Sequence, residues 1–322
     1  MSLSLTCTLG PASENAEMII KLLDHADRFR LNASHLTPAS LKHWLNKLQD
    51  IFNKKSKSIP VVIDLQGAKM RIGEYPSNSR IPEDISIKLV ETSANPSIIP
   101  VNSIELFNNV KSGEILSLND NRIELEVTYK AENVLEARVI KNGPLSSAKG
   151  INRRQHPIPY HEVSENDKGM IAIANTYTFT EYAFSFTHDG KEAILLQEYT
   201  NKKITAKIER PESMDFLQTI DKHFDEIWFC RGDMGAQAGL ENLGKRQQQL
   251  EEQLSVLGKP VILAGQVLEY MTHFPEPTRA EVVALYKAAK NGFSGIVLSD
   301  ETAIGKYPVE AAALLDSLTP DK

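Results

Sequence analysis

The sequence predicts an α/β fold, a (β/α)8 TIM barrel that carries a small inserted β-barrel domain as a lid. Two observations predict it. Eight short apolar runs alternate with stretches of helical periodicity, and one stretch of short strands and turns interrupts this rhythm after the third run. Because strands that alternate with helices form a parallel sheet wrapped by those helices, eight such repeats are typical of a closed barrel.

The apolar runs predict the barrel strands in order along the chain. Helix-starting signals follow several of them, such as Thr37 before Pro38, and a capping box at Ser164–Asp167. The predicted strands are Leu3–Leu9, Arg28–Asn32, Pro60–Asp64, Tyr182–Thr187, Lys203–Ile208, Glu226–Cys230, Pro260–Ala264 and Gly295–Ser299.

The insertion lies between the third and fourth runs. Ile85–Leu89, Ile123–Val127 and Val134–Ile140 alternate apolar and polar residues, and turn residues rich in Gly, Asn and Asp separate them. Period-two alternation predicts strands with one buried face. We therefore expect a barrel domain at 1–73 and 154–322, with a β-domain at 74–153 inserted into it.

Composition narrows the class of protein. The chain has 322 residues, of which 41% are hydrophobic and 24% charged, as is normal for a globular protein with a core. Its net charge of −6 gives no basic field for nucleic acid, and no stretch is apolar enough to predict a membrane helix or a signal peptide. With only Cys7 and Cys230, a disulfide framework is excluded. We expect a cytoplasmic location, without nucleic-acid or membrane partners.

Polar residues at the ends of the predicted strands suggest where chemistry occurs, because barrel enzymes carry their sites at the carboxyl ends of strands. Glu209 and Asp233 end neighbouring strands and could share a divalent ion, with Lys207 beside it. The alternative is a structural salt bridge between Lys207 and Glu209 at the barrel rim. The residues at strand ends are Arg30, Asn32, Ser34, Asp64, Arg71, Lys207, Glu209, Arg231, Asp233, Gln266 and Glu301.

Ordered blocks of sequence carry a resemblance to a known family. Six blocks, together with Lys111–Glu114 and Ser147–Asn152 in the insertion, resemble segments of pyruvate kinases in the same order and span essentially the whole chain. The six blocks are Thr6–Ser13, Arg30–His35, Ala206–Glu209, Arg231–Gly235, Pro277–Glu281 and Leu298–Ala303.

The resemblance implies phosphoryl transfer from phosphoenolpyruvate to ADP, which yields pyruvate and ATP and depends on Mg²⁺ or Mn²⁺. It also implies roles for matching residues. Catalytic roles fall on Lys207, Arg30 and Arg71; metal binding on Glu209 and Asp233; substrate binding on Gly232, Asp233, Gly265 and Ser299; nucleotide binding on Asn32, His35 and Lys149; and a monovalent-cation site, or its replacement, on Asn32, Ser34, Asp64, Leu65 and Lys69. His35 has an equal alternative as a cap of the next helix.

One departure from the family pattern concerns potassium. Where potassium-dependent members have Asp-Thr-Lys-Gly-Pro-Glu, this chain has Asp64-Leu-Gln-Gly-Ala-Lys69. A lysine ammonium in place of the glutamate could supply the positive charge that potassium otherwise brings, so we expect no potassium requirement. The alternative is that Lys69 points to solvent.

A second departure concerns the substrate. Gly265 stands where the family has a threonine, so a hydroxyl is missing and its space is vacated, and we expect weakened activity. Asp300 stands where the family has glycine and adds a negative charge near the site, unless its side chain faces outward. The alternatives are a diverged enzyme that acts on pyruvate or another 2-oxo acid through a metal-bound enolate, and a non-catalytic paralogue. The sequence ends about one helix after the eighth run, so we expect the family's C-terminal domain to be absent. The resemblance also leads us to expect a homodimer formed through the barrel.

Overall fold

The computed structural model describes residues 3–119, 121–153 and 160–318. Its strands, in chain order, are β1 (Ser4–Thr8), β2 (Arg28–Asn32), β3 (Val61–Leu65), β4 (Asp84–Leu89), β5 (Ile98–Val101), β6 (Ile115–Leu118), β7 (Ile123–Ala131), β8 (Val134–Lys141), β9 (Ile151–Arg153), β10 (Thr180–Phe184), β11 (Ile204–Ile208), β12 (Glu226–Cys230), β13 (Val261–Ala264) and β14 (Gly295–Leu298).

Helices follow most of the barrel strands. They are α1 (Ala16–Leu23), α2 (Pro38–Lys55), α3 (Ile104–Asn109), α4 (Glu165–Ala174), α5 (Glu192–Gln197), α6 (Leu217–His223), α7 (Arg231–Ala238), α8 (Leu240–Glu251), α9 (Arg279–Asn291), α10 (Asp300–Ala303) and α11 (Pro308–Leu318). Within the described residues, no helix combines the length and the apolar character that a bilayer-spanning segment needs.

Eight parallel strands close into a barrel. Around the barrel the order is β1, β2, β3, β10, β11, β12, β13 and β14, so each barrel strand pairs with the next barrel strand in the chain and β14 pairs with β1. The predicted (β/α)8 class is confirmed. Apolar side chains from five strands contact one another inside the barrel and form a buried layer: Val62, Ala183, Trp228, Cys230, Ile262, Ala264 and Val297.

The chain forms two compact units. The barrel unit holds the described residues of Met1–Gly67, Glu162–Met234 and Asn242–Lys322, and the second unit holds those of Ala68–His161 together with Gly235–Glu241. The second unit is built on a curled sheet in the order β5, β4, β8, β7, β6, β9, which is antiparallel except for the β4–β5 pair. The sequence boundaries at 74 and 153 remain predictions.

Besides small shifts at the ends of several strands, one barrel strand and one helix differ from the sequence prediction. The fourth barrel strand spans Thr180–Phe184 rather than Tyr182–Thr187, because Phe186 has a φ of 60°, which no strand accommodates. At its other end the Thr180 hydroxyl donates to the carbonyl of Ala174, 2.7 Å away, and this contact fixes the start of the strand. The short helix α3 within the second unit was not predicted.

The buried side chain of Asp167, in the first turn of α4, holds the connection that leaves the barrel after β3. Its backbone N–H donates to the Ser164 hydroxyl, which is one half of the predicted capping box, while its carboxylate accepts from the amides of Gln66 (3.2 Å) and Gly67 (2.9 Å). Burial raises the pKa of Asp167 to about 6, and the charge of Asp64 adds to the effect. Asp167 therefore fixes the last two residues before the chain enters the second unit.

We expect Asp167→Asn to reduce the pH dependence of stability. A carboxyl whose pKa is raised from 3.8 to about 6 stabilises the fold fully below pH 3.8, and this contribution is lost as the pH rises through about 6. Between low and neutral pH, the free energy of unfolding should therefore change by about 2–3 kcal/mol less in the variant than in the natural chain, and we attribute this difference to Asp167. Urea unfolding at a series of pH values measures it. Asp50→Asn, at an exposed position of α2, is the control, and a profile unchanged in Asp167→Asn would contradict the assignment.

Candidate active site

A buried carboxylate, Asp64, lies at the carboxyl end of β3 and binds two cationic side chains. Arg30, on the adjacent β2, donates to Asp64 Oδ2 from Nε at 2.8 Å and from Nη2 at 2.5 Å, and its Nη1 reaches the Thr8 hydroxyl at 3.0 Å. Burial opposes ionisation of Asp64, yet the charges of Lys207 and Arg30 outweigh it and lower its pKa. The aspartate is therefore a fixed negative charge.

Lys207, on β11, is the second cation of this cluster. Its Nζ lies 3.0 Å from Asp64 Oδ1, 3.0 Å from Glu209 Oε1 and 2.8 Å from the hydroxyl of Ser185. Burial acts to lower the pKa of Lys207, but Asp64 and Glu209 prevail and raise it, so the side chain stays an ammonium. The salt bridge considered from the sequence exists, and it belongs to a buried charge cluster rather than to the rim.

Glu209 directly follows β11, and its carboxylate is oriented from both sides. Oε1 binds Lys207, and Oε2 accepts a hydrogen bond of 2.7 Å from the backbone amide of Phe186. The left-handed backbone of Phe186 turns this amide toward the glutamate. Glu209 is only 1% exposed, so its orientation is set by these contacts rather than by solvent.

Asp233 lies in the first turn of α7, which begins directly after β12, and it is half-buried. The pKa of the nearby Cys230 thiol is raised well above its usual value by burial and then by Glu209, while Lys207 opposes the shift and Asp64 and Asp233 add to it. The charges of Glu209 and Asp233 therefore act on the same end of the barrel.

The donor set fits a hard divalent ion. Within the described parts of the chain, no group of three or more His, Cys, Asp or Glu side chains is arranged to hold a metal. Two carboxylates, Glu209 and Asp233, would leave the remaining positions to water and substrate oxygens, which is the arrangement that Mg²⁺ and Mn²⁺ accept.

The loop after β13 has an unusual backbone. Gly265 and Gln266 have φ values of 86° and 52°, and Arg231 donates to both of their carbonyls, from Nε at 2.9 Å and from Nη2 at 2.6 Å. A Cβ on Gly265 would lie 3.3 Å from the Gly232 amide nitrogen. The conformation and the space both favour glycine, so the position does not simply lack a threonine side chain.

Glu301, in the short helix α10 that follows β14, orients the same loop. Its Oε1 accepts from the amides of Val267 (3.2 Å) and Leu268 (2.9 Å), and its Oε2 accepts from that of Ser299 (2.7 Å). Burial raises the pKa of Glu301. Asp300, whose charge was a concern from the sequence, has an exposed side chain.

The predicted residues after β2 occupy a short 3-10 turn, Ala33–His35. Asn32 caps it by accepting from the Ser34 amide at 3.2 Å, and His35 is exposed. Thr37, rather than His35, caps α2. The carbonyl of Leu65, at the end of β3, accepts from the Ser185 hydroxyl at 2.8 Å.

Three predicted basic residues belong to the second unit. Arg71 forms an isolated antiparallel bridge with Gly150 and donates from Nη1 to the carbonyl of Ala148 at 2.8 Å. The side chain of Lys69 lies beside Gly150, and Lys149 precedes that glycine. The structure thus places Lys69, Arg71 and Lys149 on adjacent segments of that unit. It brings the side chains of Arg30, Asp64, Lys207 and Glu209 together in the barrel.

Sequence reasoning missed two residues that touch the charge cluster, Ser185 and Phe186. Both fall inside the run predicted as the fourth strand, and an apolar run gives no signal that its last residues turn toward a site. Arg210 was also missed. It follows Glu209 directly in the sequence and was not singled out among the residues at strand ends.

The fold and the site together define a barrel protein of the (β/α)8 class with a buried, charge-balanced cluster at the carboxyl ends of its strands. Comparison with known proteins identifies the family. The family model described as "Pyruvate kinase, barrel domain" matches residues 2–312. The chain belongs to the pyruvate kinase family, and the resemblance found in the sequence is confirmed.

Individual relatives agree with this family. The chain is 29% identical to a pyruvate kinase of Thermotoga maritima over 99% of its own length and 71% of the relative's. It is 31% identical to a pyruvate kinase of Thermococcus litoralis, over 97% of this chain and 67% of the relative. A pyruvate kinase of Buchnera aphidicola is 33% identical over 95% and 66% of the two chains, respectively. This chain is therefore shorter than these relatives.

We expect Gly265→Ala to destabilise the barrel by about 1–2 kcal/mol, because a β-carbon is disfavoured at positive φ. Urea unfolding measures the change. The control is Gly169→Ala in α4, where a Cβ would meet nothing within 4 Å. That change should stabilise by about 0.5–1 kcal/mol. Equal stabilisation by both substitutions would contradict the assigned loop conformation.

Proposed function

We propose that the chain transfers the phosphoryl group of phosphoenolpyruvate to ADP, releasing pyruvate and ATP. The observation that carries the proposal is the buried ammonium of Lys207, which is held between Asp64 and Glu209 at 3.0 Å from each. Phosphoryl transfer requires mainly positioning and charge stabilisation, and little covalent chemistry from the protein. A rigid buried cation supplies that stabilisation without reorganising during the reaction.

Lys207 acts as an electrostatic residue in this proposal. Its raised pKa keeps it protonated, so it stabilises negative charge on the enolate oxygen and on the transferring phosphoryl group rather than abstracting a proton. Ser185 and the two carboxylates fix the position of its Nζ. Preorganisation of this kind is the usual source of the largest catalytic contribution in such sites.

Glu209 and Asp233 are proposed to hold Mg²⁺ or Mn²⁺. When bound, the ion would act as a Lewis acid and stabilise negative charge on phosphoryl and enolate oxygens. Gly232, Gly265 and Ser299 are proposed to lie beside the substrate, because they share this end of the barrel. Arg30 is proposed to face the phosphoryl group.

The second unit contributes positive charge in this proposal. Arg71 and Lys149 lie on paired segments of it, and Lys69 is beside them. Clustered cations of this kind suit the phosphates of a nucleotide, and the family resemblance assigns Lys149 that role. Asn32 and His35 are proposed as further nucleotide contacts, the latter because it is exposed.

Potassium is not required in this proposal. Both oxygens of Asp64 already bind fixed cations, Oδ1 the ammonium of Lys207 and Oδ2 the guanidinium of Arg30. Each oxygen of this buried carboxylate is therefore already paired with a cation of the protein. Lys69 adds a further positive charge nearby in the sequence.

A second candidate function rests on Gly265. The left-handed loop around it offers no hydroxyl to the substrate, so the enolate chemistry could serve pyruvate or another 2-oxo acid without ADP. Exchange of the methyl protons of pyruvate with solvent, in the presence of Mg²⁺ and absence of nucleotide, would favour this function.

A cytoplasmic location and a homodimer through the barrel are further proposals from the resemblance.

We expect Lys207→Met to lower pyruvate release from phosphoenolpyruvate and ADP by at least about 10²–10³-fold, because it deletes the preorganised cation. A coupled assay with Mg²⁺ measures the rate, and circular dichroism checks that the variant is folded. Lys203→Met is the matched control, since this exposed lysine precedes the same strand at the opposite end of the barrel. An inactive natural chain, or an active Lys207→Met, would refute the proposal.

We expect the rate in KCl to equal the rate in tetramethylammonium chloride at matched ionic strength, because Lys207 and Arg30 already balance Asp64. The same coupled assay, run on protein freed of alkali metals, makes the comparison. A rate more than about tenfold higher in KCl would show that a monovalent-cation site has been retained.

A further inference from the structure

A buried arginine that the proposed reaction does not use follows the glutamate of the charge cluster. Arg210 is 5% exposed and donates from Nη2 to the carbonyl of Phe186 at 2.6 Å, with its guanidinium 5.3 Å from the centre of the Phe186 ring. Its Nε has no hydrogen-bond partner among the residues that the structure describes. A buried cation with an unsatisfied donor is costly, so its retention needs a reason.

Three carboxylates act on the charge of Arg210. Burial lowers its pKa, and the charges of Glu192, Glu212 and Glu209 oppose that effect. Among these, Glu192 already accepts from the amides of His188 (2.7 Å) and Gly190 (3.0 Å). The positive charge of Arg210 therefore acts on Glu209 as well as on the loop that follows β10.

The residue that Arg210 binds is the strained one. Phe186 has a φ of 60°, in the left-handed region that a large aromatic residue rarely occupies. Its carbonyl accepts from Arg210, and its amide donates to Glu209 Oε2 at 2.7 Å. Both hydrogen bonds thus hold one residue in a conformation that it would otherwise leave, and strain of this kind persists only where its surroundings enforce it.

We propose that Arg210 is a positioning residue, which holds the Phe186 turn so that its amide orients the Glu209 carboxylate for a divalent ion. The inference rests on the proposed function, because it takes Glu209 as a metal ligand. Mutation of a group that orients a metal ligand typically weakens metal binding by about 10–100-fold. Sequence position alone did not suggest this role, since it passes through the backbone of a residue more than twenty positions away.

The test measures Mn²⁺ binding in the absence of substrates. Electron paramagnetic resonance reports the concentration of free Mn²⁺, and the bound fraction follows from it. We expect Arg210→Met to weaken Mn²⁺ binding by about tenfold. Ser213→Ala is the matched control. Its hydroxyl donates to the Thr187 carbonyl at 2.5 Å, so it clamps the same loop one residue further along. That variant should bind Mn²⁺ as the natural chain does.

The outcomes separate the two proposals. If the natural chain binds Mn²⁺ no better than Glu209→Gln, the proposed function fails. If it binds Mn²⁺ and Arg210→Met loses less than about threefold, the function stands and the inference is overturned. An equal loss in Ser213→Ala would also overturn it, as a general effect of loosening the loop. If Arg210→Met does not fold, Arg210→Lys replaces it, because the lysine side chain is too short to make the same contact with Phe186. A loss of Mn²⁺ affinity below about threefold in Arg210→Lys would then overturn the inference.

Discussion

The bidentate position of Asp64 between two buried cations is the interaction on which the rest of the site depends. Arg30 and Lys207 bring two positive charges, and Asp64 and Glu209 bring two negative ones, all of them largely removed from water. Buried charges are tolerated only when they are paired with good geometry, so loss of one partner leaves the others uncompensated. The partners come from β2, β3 and β11, and β10 lies between the last two, so the closed order of strands is what makes the balance possible.

Left-handed backbone occurs at the carboxyl ends of two barrel strands, β10 and β13. Phe186 follows β10, and Gly265 and Gln266 follow β13, all with positive φ. Each irregularity is fixed by a neighbouring arginine, since Arg210 binds the carbonyl of Phe186 and Arg231 binds both carbonyls of the β13 loop. The buried layer of apolar side chains lies inside the barrel, which gives these loops a rigid base. Rigid strands thus carry strained loops, and the loop after β10 points the backbone amide of Phe186 at Glu209.

The barrel could be predicted from the sequence because strands buried on both faces appear as continuous apolar runs. Arg28–Asn32 and Glu226–Cys230 were predicted with their observed limits. Lys207 and Glu209 could be located because they end such a run. The left-handed turn at Phe186 could not be predicted, since no local propensity favours it and only the contacts with Glu209 and Arg210 impose it. Tertiary contacts, rather than periodicity, decide such positions.

Gly265 shows why a departure from a family pattern has to be interpreted with its loop. From the sequence, glycine in place of threonine indicates a missing hydroxyl and an empty space. In the structure the residue is left-handed, and a Cβ would crowd the Gly232 amide at 3.3 Å. Arg231 holds the two carbonyls that this conformation presents. The glycine is therefore one part of a loop whose conformation favours it, and position 265 presents backbone atoms rather than a side chain to its surroundings.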